Sequence, residues 1–332
     1  MSYSEPNLTR EHRLIELIKQ ITAEKLIGDD CAVLPGNRLV SSDMLVEGKH
    51  FLLPQTSMED LGWKAMAVNI SDIAAMGGEP QFALVNIAMP SRFSDEDFQR
   101  LFQSMQDCAR QFGTRIIGGD LTGSESLVIS ITILGQARGD RSLMRGSALP
   151  GDVLIVTGDF GASALGLELI RRSLKEKGSL DEPGSQDRAS HYLWKRHCRP
   201  SPRVKEAQEL LEISQAEAAC MDSSDGLADA LLQIAASSKV SIIVDAEKIP
   251  LALETISKAQ DLSCSALELA LYGGEDYELV ATVRQSQWEL LSKGGSFKAI
   301  GTVVSGKDVV LKTADGDIKL DRSRTFQHWL DS

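Results

Sequence analysis

Several of the commonest functional signatures are missing from these 332 residues. There is no G-x-x-x-x-G-K-[ST] segment, which excludes a P-loop. The five histidines form neither H-E-x-x-H nor any other metal-ligand spacing. The five cysteines, at positions 31, 108, 198, 220 and 264, include no C-x-x-C pair, and their odd number suits reduced thiols better than a disulfide framework. No apolar run reaches the length of a membrane span, and Met1 to Pro6 lacks the apolar core of a secretory leader. A cytoplasmic location is therefore expected, with no membrane partner. Basic residues are outnumbered, 35 Lys and Arg against 47 Asp and Glu, and the net charge of −12 argues against a nucleic-acid surface. No repeat of solenoid length is visible.

What remains is the composition of a folded globular protein, 42% apolar and 25% charged, long enough for two domains each with its own core. Apolar residues at three- and four-residue steps predict a helix over Leu61–Met76, entered through Ser57-Met58-Glu59-Asp60. A second is expected over Ser94–Phe112, with a serine N-cap, three acids in its first turn and Gly113 as stop. Phe82–Met89 reads as a strand, and so does Leu127–Gly135, where Val128, Ser130 and Thr132 alternate with Ile129, Ile131 and Ile133. Turn chemistry at Ser147–Asp152 places a domain boundary, giving 1–148 and 149–332. Beyond it come a strand at Val153–Thr157 and a helix from about Ala162 to Leu174, joined by Gly158 and Gly161 in a tight turn whose spacing is not that of a dinucleotide fingerprint. The charges of Arg171–Lys177 suit the solvated end of that helix, and 178–190 reads as a loop. Helices at Pro202–Glu212, Gly226–Ser237, Ser265–Leu271 and Gln285–Ser292 then alternate with strands at Val240–Asp245, Tyr277–Val283 and Ala299–Val304. The expected fold class is α+β, mixed α/β, in both halves.

The chemistry lies in aspartates. Five clusters place Asp beside Gly, Ser or another Asp: Gly28-Asp29-Asp30, Ser41-Ser42-Asp43, Ser71-Asp72, Gly118-Gly119-Asp120 and Asp222-Ser223-Ser224-Asp225-Gly226. Such carboxylates are hard oxygen ligands, suited to Mg²⁺ held jointly with substrate phosphates, and the pattern points to phosphoryl transfer. One aspartate on a turn is usually a cap or turn former, and Asp225 before Gly226-Leu227 has the form of an N-cap. Ser71 and Asp72, however, interrupt an apolar helical pattern, where a charge needs a partner or a metal. His12, His191, His197 and His328 are expected at the surface. His50, just past an acidic cluster, is a candidate substrate contact.

The same segments resemble the thiamine-monophosphate kinase family, a branch of the superfamily of aminoimidazole ribonucleotide synthetase and selenophosphate synthetase. The matching stretches run in order from Gly28-Asp29-Asp30, through Asp43–Phe51, Gly62–Gly78, Ile117–Asp120, Met144–Ala148 and Met221–Leu227, to Gly273-Gly274-Glu275-Asp276-Tyr277-Glu278-Leu279. The resemblance implies an N-terminal domain that gives strands to a barrel shared across a homodimer, a C-terminal α/β domain, and ATP in a cleft between them. It implies that Asp30, Ser41, Ser42, Asp43, Asp72, Asp120, Asp222 and Asp225 hold several Mg²⁺ ions, with Asp120 and Asp222 acting in catalysis through the metal. Asp30, Gly119, Asp120, Arg145 and Ser224 would contact ATP. His50, Glu275 and a C-terminal aromatic, Phe326 before Trp329, would face thiamine monophosphate. The rival readings are an amidine-forming ATP-dependent synthetase on the same fold and a silent nucleotide-binding relative.

Overall fold

Residues 9–139, 141–177 and 187–324 are described by the computed structural model. The first part of the chain forms α1 (Arg10–Thr22), β1 (Ala32–Leu34), β2 (Arg38–Val46), α2 (Met58–Ala75), β3 (Gly78–Met89), α3 (Asp95–Gln111), β4 (Arg115–Gly123) and β5 (Val128–Ala137). After the turn at 147–152 come β6 (Val153–Thr157), α4 (Ala162–Lys177), α5 (Arg188–Cys198), α6 (Val204–Ser214), β7 (Ala219–Asp222), α7 (Leu227–Ser238) and β8 (Ser241–Asp245). The chain continues through α8 (Leu253–Asp261), α9 (Ala266–Tyr272), β9 (Leu279–Val283), α10 (Gln285–Leu291), β10 (Phe297–Val304), β11 (Val309–Thr313) and β12 (Gly316–Lys319). The architecture is mixed α/β, as the sequence predicts.

The first sheet has the order β1-β2-β5-β3-β4, antiparallel except between β3 and β4. Burial alternates residue by residue along the central strand β5, with Ile129, Ile131 and Ile133 turned inward. That inward face is covered by α2, with α3 packed beside it. The pairing of β3 with β4 demands a glycine at 119, since a Cβ there would run into the Val85 backbone. Exposed apolar side chains remain at Met44 and Leu84 on the outer face and at Ile117 and Leu121 on the edge strand β4.

The second sheet has the order β12-β11-β8-β10-β6-β9-β7, antiparallel except between β8 and β11. Strands β6 and β9 are buried on both faces, which is why they read as apolar runs with Thr157 and Thr282 as their only polar members. Leu154, Val156 and Met221 join the core beneath α7, whereas Ile155, Cys220 and Ala281 join the core of the first sheet. One apolar cluster runs across both sheets by way of α2 and α6, and a second lies wholly within residues 148–320.

Three helices, α1, α5 and α8, have no counterpart in the pattern reading. α5 starts within the stretch read as a loop, because Asp187 accepts hydrogen bonds from the backbone and hydroxyl of Ser190 and caps it. Residues 178–186 of that stretch lie outside the described residues. The N-cap expected of Asp225 is also corrected. Gly226, at φ +99°, occupies the N-cap position of α7, and no side chain caps it.

α2 and α3 approach closely at Gly62, where a methyl group would collide with the Leu101 carbonyl. Gly62→Ala is expected to lower stability by about 1–3 kcal/mol through overpacking, read as a reduced urea midpoint with unchanged slope.

Candidate active site

The edge strand β7 of the second sheet ends against α2, and three aspartates meet there. Asp30, in the turn before β1, Asp72, near the end of α2, and Asp222, the last residue of β7, bring ligand oxygens within 4.8 Å of one another. Each is held by a donor from another element. Ser71 Oγ donates to Asp222 at 2.5 Å, Ser41 Oγ donates to Asp72, and the Arg145 guanidinium grips Asp30. Arg145 is itself braced by Gln233 at 2.5 Å, and its backbone N–H donates to Asp29 at 3.2 Å. Asp43, on the same sheet face as Ser41, receives its order from Asn69, whose Oδ1 accepts the Asp43 N–H at 3.0 Å.

So many buried like charges disfavour ionisation. Burial, then Asp30, pushes the Asp222 carboxyl up to about 7 against the relief given by Ser71. Burial, then the charges of Asp43, Asp222 and Asp30, holds Asp72 well above the ordinary carboxylate range. Burial, then Asp30, raises Asp43 to about 6 and Asp29 to about 7. The donor set is oxygen only and its members repel one another, which fits a hard divalent cation.

The remaining expected ligands stand apart from this group. The register places Ser42 and Asp120 on the outer face of the first sheet, opposite to Ser41 and Asp43. Ser42 Oγ donates to the Ile131 carbonyl at 3.1 Å, and Asp120 is exposed on β4 across from Asn86. Gly119, exposed on β4, pairs with Val85 of β3. Asp225 is raised well above its usual range by burial, then by Asp229, Glu11 and Asp222, and lies outside the three-aspartate group. Ser224 meets the next loop through its carbonyl, which accepts the Glu275 N–H at 2.6 Å.

That loop, Gly273–Glu278, is locked from both sides. Asp276 accepts from Gly161 N at 2.7 Å and Ser163 N at 3.1 Å, capping α4 from a distance in sequence. Glu278, wholly buried, accepts from Thr157 at 2.6 Å, Arg196 at 2.9 Å and Arg203 at 2.5 Å. Glu275 and Tyr277 take left-handed backbone conformations, φ +60° and +52°, which are costly for residues with side chains. Glu275 forms an ion pair with Lys64 at 2.9 Å, and its other oxygen lies 3.3 Å from His197 Nδ1. Burial alone would raise the Glu275 carboxyl, but Lys64 above all, with a smaller contribution from His50, holds it below its usual range. His50, whose Nδ1 accepts the Val46 N–H at 2.9 Å, thus stands within electrostatic reach of Glu275.

Pattern reading missed Lys64, although a lysine within Leu61–Met76 was the available signal. It also misplaced His197, which is buried rather than at the surface. Burial, then Lys64, depresses that imidazole to about 3, so it is neutral. Phe326, Trp329 and His328 lie outside the described residues. A cavity of about 290 Å³ opens beside Gly28-Asp29, lined also by Lys19, Lys25 and Met144. A larger one, about 580 Å³, lies among Arg138, Arg141, Gln208 and Glu212 and contains none of the expected site residues.

Two family descriptions match the chain: "AIR synthase related protein, N-terminal domain" over residues 28–137 and "AIR synthase related protein, C-terminal domain" over residues 150–313. The chain is thus an AIR synthase related protein in both halves. The chain is 38% identical over 272 residues to thiamine-monophosphate kinase of Bacillus subtilis, covering 80% of each. It is 36% identical over 333 residues to that of Synechococcus elongatus, covering 96% of each. A solved structure described as AaThiL complexed with AMPPCP and TMP superposes with a TM-score of 0.82 at 31% identity, over 96% of this chain and 98% of that one. Within the AIR synthase related proteins, the chain belongs to the thiamine-monophosphate kinase family.

The raised carboxyl of Asp222 gives a signed pH dependence. Between its unfolded value of 3.8 and its folded value of about 7 the native state holds the extra proton, so stability falls as pH rises through that window. The melting temperature of the metal-free protein is expected to fall from mildly acid to mildly alkaline buffer. Added Mg²⁺ should restore it, and more at the alkaline end, as scanning fluorimetry with and without the ion would read.

Proposed function

We propose that the protein transfers the terminal phosphoryl group of ATP to thiamine monophosphate, forming thiamine diphosphate and ADP. The observation that carries this reading is the meeting of Asp30, Asp72 and Asp222 at the junction of the two sheets, in a chain whose family is that of thiamine-monophosphate kinases. A phosphate oxygen of the acceptor attacks the terminal phosphorus, and the bond to the bridging oxygen of ADP breaks. The acceptor oxygen is already ionised, so no side chain has to remove a proton from it. The obstacle is electrostatic: two polyanions must come together in line.

Asp30, Ser41, Asp43, Asp72, Asp222 and Asp225 are the residues we assign to Mg²⁺. The ions, when bound, neutralise the phosphates and stabilise charge on the group in transit. The roles of Ser42 and Asp120 are assigned to the same function, but from the outer sheet face, where a second copy would meet them. Arg145 holds Asp30 in the structure described above and is positioned to exchange that carboxylate for a nucleotide phosphate, with Gly119 and Ser224 as further ATP contacts. His50 and Glu275 are assigned to the organic end of thiamine monophosphate, together with Phe326.

The homodimer belongs to this proposal. Met44, Leu84, Ile117 and Leu121 expose apolar surface on one sheet, and pairing of two copies would cover both the patch and the β4 edge, closing strands into a shared barrel. Division at 148/149 and a cytoplasmic location complete it. The latter is supported by five free cysteines, four of them buried, and by the absence among the described residues of any helix long and apolar enough to cross a membrane.

Incubation with ATP, Mg²⁺ and thiamine monophosphate should yield ADP and thiamine diphosphate in equal amounts. Release of free phosphate without the diphosphate would point instead to synthetase chemistry, and no turnover to a silent relative. Asp72→Asn and Asp222→Asn are each expected to lower turnover by about 10²–10³-fold with the fold retained. Near-normal turnover at saturating Mg²⁺ would remove that residue from the ligand set. Light scattering at micromolar concentration should give twice the 36.1 kDa chain mass. A monomer would overturn the assembly.

A further inference from the structure

Lys64 is among the largest fully buried side chains, 1% exposed, on a helix whose neighbouring residues are almost all apolar. Its partner Glu275 comes from the loop after α9, on the other sheet's side of the interface, and remains 24% exposed. Such a pair is not explained by stability, since taking both charges out of water costs about as much as their attraction returns, and a well-packed apolar pair would serve as well. The loop adds to the cost by holding Glu275 at φ +60°. His197, the other contact of Glu275, is neutral and hydrogen-bonded near Ser163, at 3.2 Å, which leaves Lys64 as the ammonium facing that carboxylate from α2. His50 approaches from the segment after β2.

The placement of Lys64 along α2 is informative. Ser71, seven residues further on, occupies the same helix face about 10 Å along the axis. Ser71 holds Asp222 of the aspartate cluster. One rigid helix face therefore carries the anchor of Glu275 at one point and an anchor of the aspartate cluster two turns away.

We propose that Lys64 is a positioning residue that fixes the Glu275 carboxylate as the receptor for the flat, cationic end of the phosphate acceptor, at a distance from the aspartate cluster set by two turns of α2. Lys64 acts through Glu275 and does not touch the substrate. The inference rests on the function proposed above and adds a basis for selectivity: an acceptor must be cationic at one end, phosphorylated at the other, and of matching span.

Steady-state kinetics on the full chain test it. Lys64→Met is expected to raise KM for thiamine monophosphate about tenfold, equivalent to about 1.4 kcal/mol, with KM for ATP within about twofold of the parent. Glu275→Gln should raise the same constant, and adding Lys64→Met to Glu275→Gln should change it no further, because the two act as one unit. The double variant removes both buried charges together, so it remains informative even where Lys64→Met alone fails to fold. Equal rises in both Michaelis constants, or a further tenfold loss in the double variant, would overturn the inference. If the parent protein does not phosphorylate thiamine monophosphate, the functional reading falls. If the parent does so and Lys64→Met matches it, the role of Lys64 alone falls.

Discussion

A helix buried on nearly every side yet studded with polar groups is the constraint on which the rest of this structure depends. α2 buries 15 of its 18 residues, among them Asp60, Lys64, Asn69 and Ser71, with Asp72 at its edge. Each must find a partner outside the helix, because a polar group left unpaired in the interior costs several kcal/mol. Asp60 takes Arg199, Lys64 takes Glu275, Asn69 orders the Asp43 backbone, Ser71 holds Asp222 and Asp72 accepts from Ser41. These partners come from β2, β7, the α5–α6 link and the loop after α9. Satisfying one helix thus determines where four other segments stop, and the cleft is the place where they stop.

The loop Gly273–Glu278 answers the same demand from the opposite side. Glu278 gathers Arg196, Arg203 and Thr157, Asp276 caps α4, and the loop backbone pairs with Ser223 and Ser224. Two carboxylates are spent on fixing the loop so that the third, Glu275, can be presented in an uncommon backbone conformation. Neighbouring acids of one short segment do different work because their environments differ: Glu278 is held low by two guanidinium groups against burial, while burial lifts Asp276 to about 7.

Periodic elements were legible in the sequence where one face meets solvent. α3 shows its capping box and β5 its strict alternation, and both stand where the pattern puts them. α1 escaped because its Leu14, Leu17, Ile18 and Ile21 face outward and α5 because its cap, Asp187, sits in a stretch without periodicity. The strands β1, β7 and β12 carry too few residues to establish a period, whereas in the longer β2 and β4 serine, glycine and aspartate interrupt the apolar alternation. In the site, the aspartates of three clusters could be picked out by residue type and local glycine or serine, since the chemistry of a hard ligand is written in its own identity. Their grouping could not: Asp30, Asp72 and Asp222 meet only through tertiary contact, whereas Ser42 and Asp120 part from them through a one-residue alternation of the strand. His197 was hidden for the same reason, as only the fold shows that it is buried, whereas Lys64 within an apolar helical pattern left a signal that was passed over.

The shared interior has a mechanical consequence. A cleft between two domains often opens by hinge rotation about the linker, with little lost beyond loose interface contacts. Here rotation about the 147–152 turn would pull Glu275 from Lys64 and Asp222 from Ser71, stranding charge in apolar surroundings. Rocking of the two sheets is therefore stiffened by the same pairs that build the site. Rearrangement at the site is thereby confined to individual side chains rather than to whole sheets. The enzyme is better described as a fixed anvil than as a closing clamp.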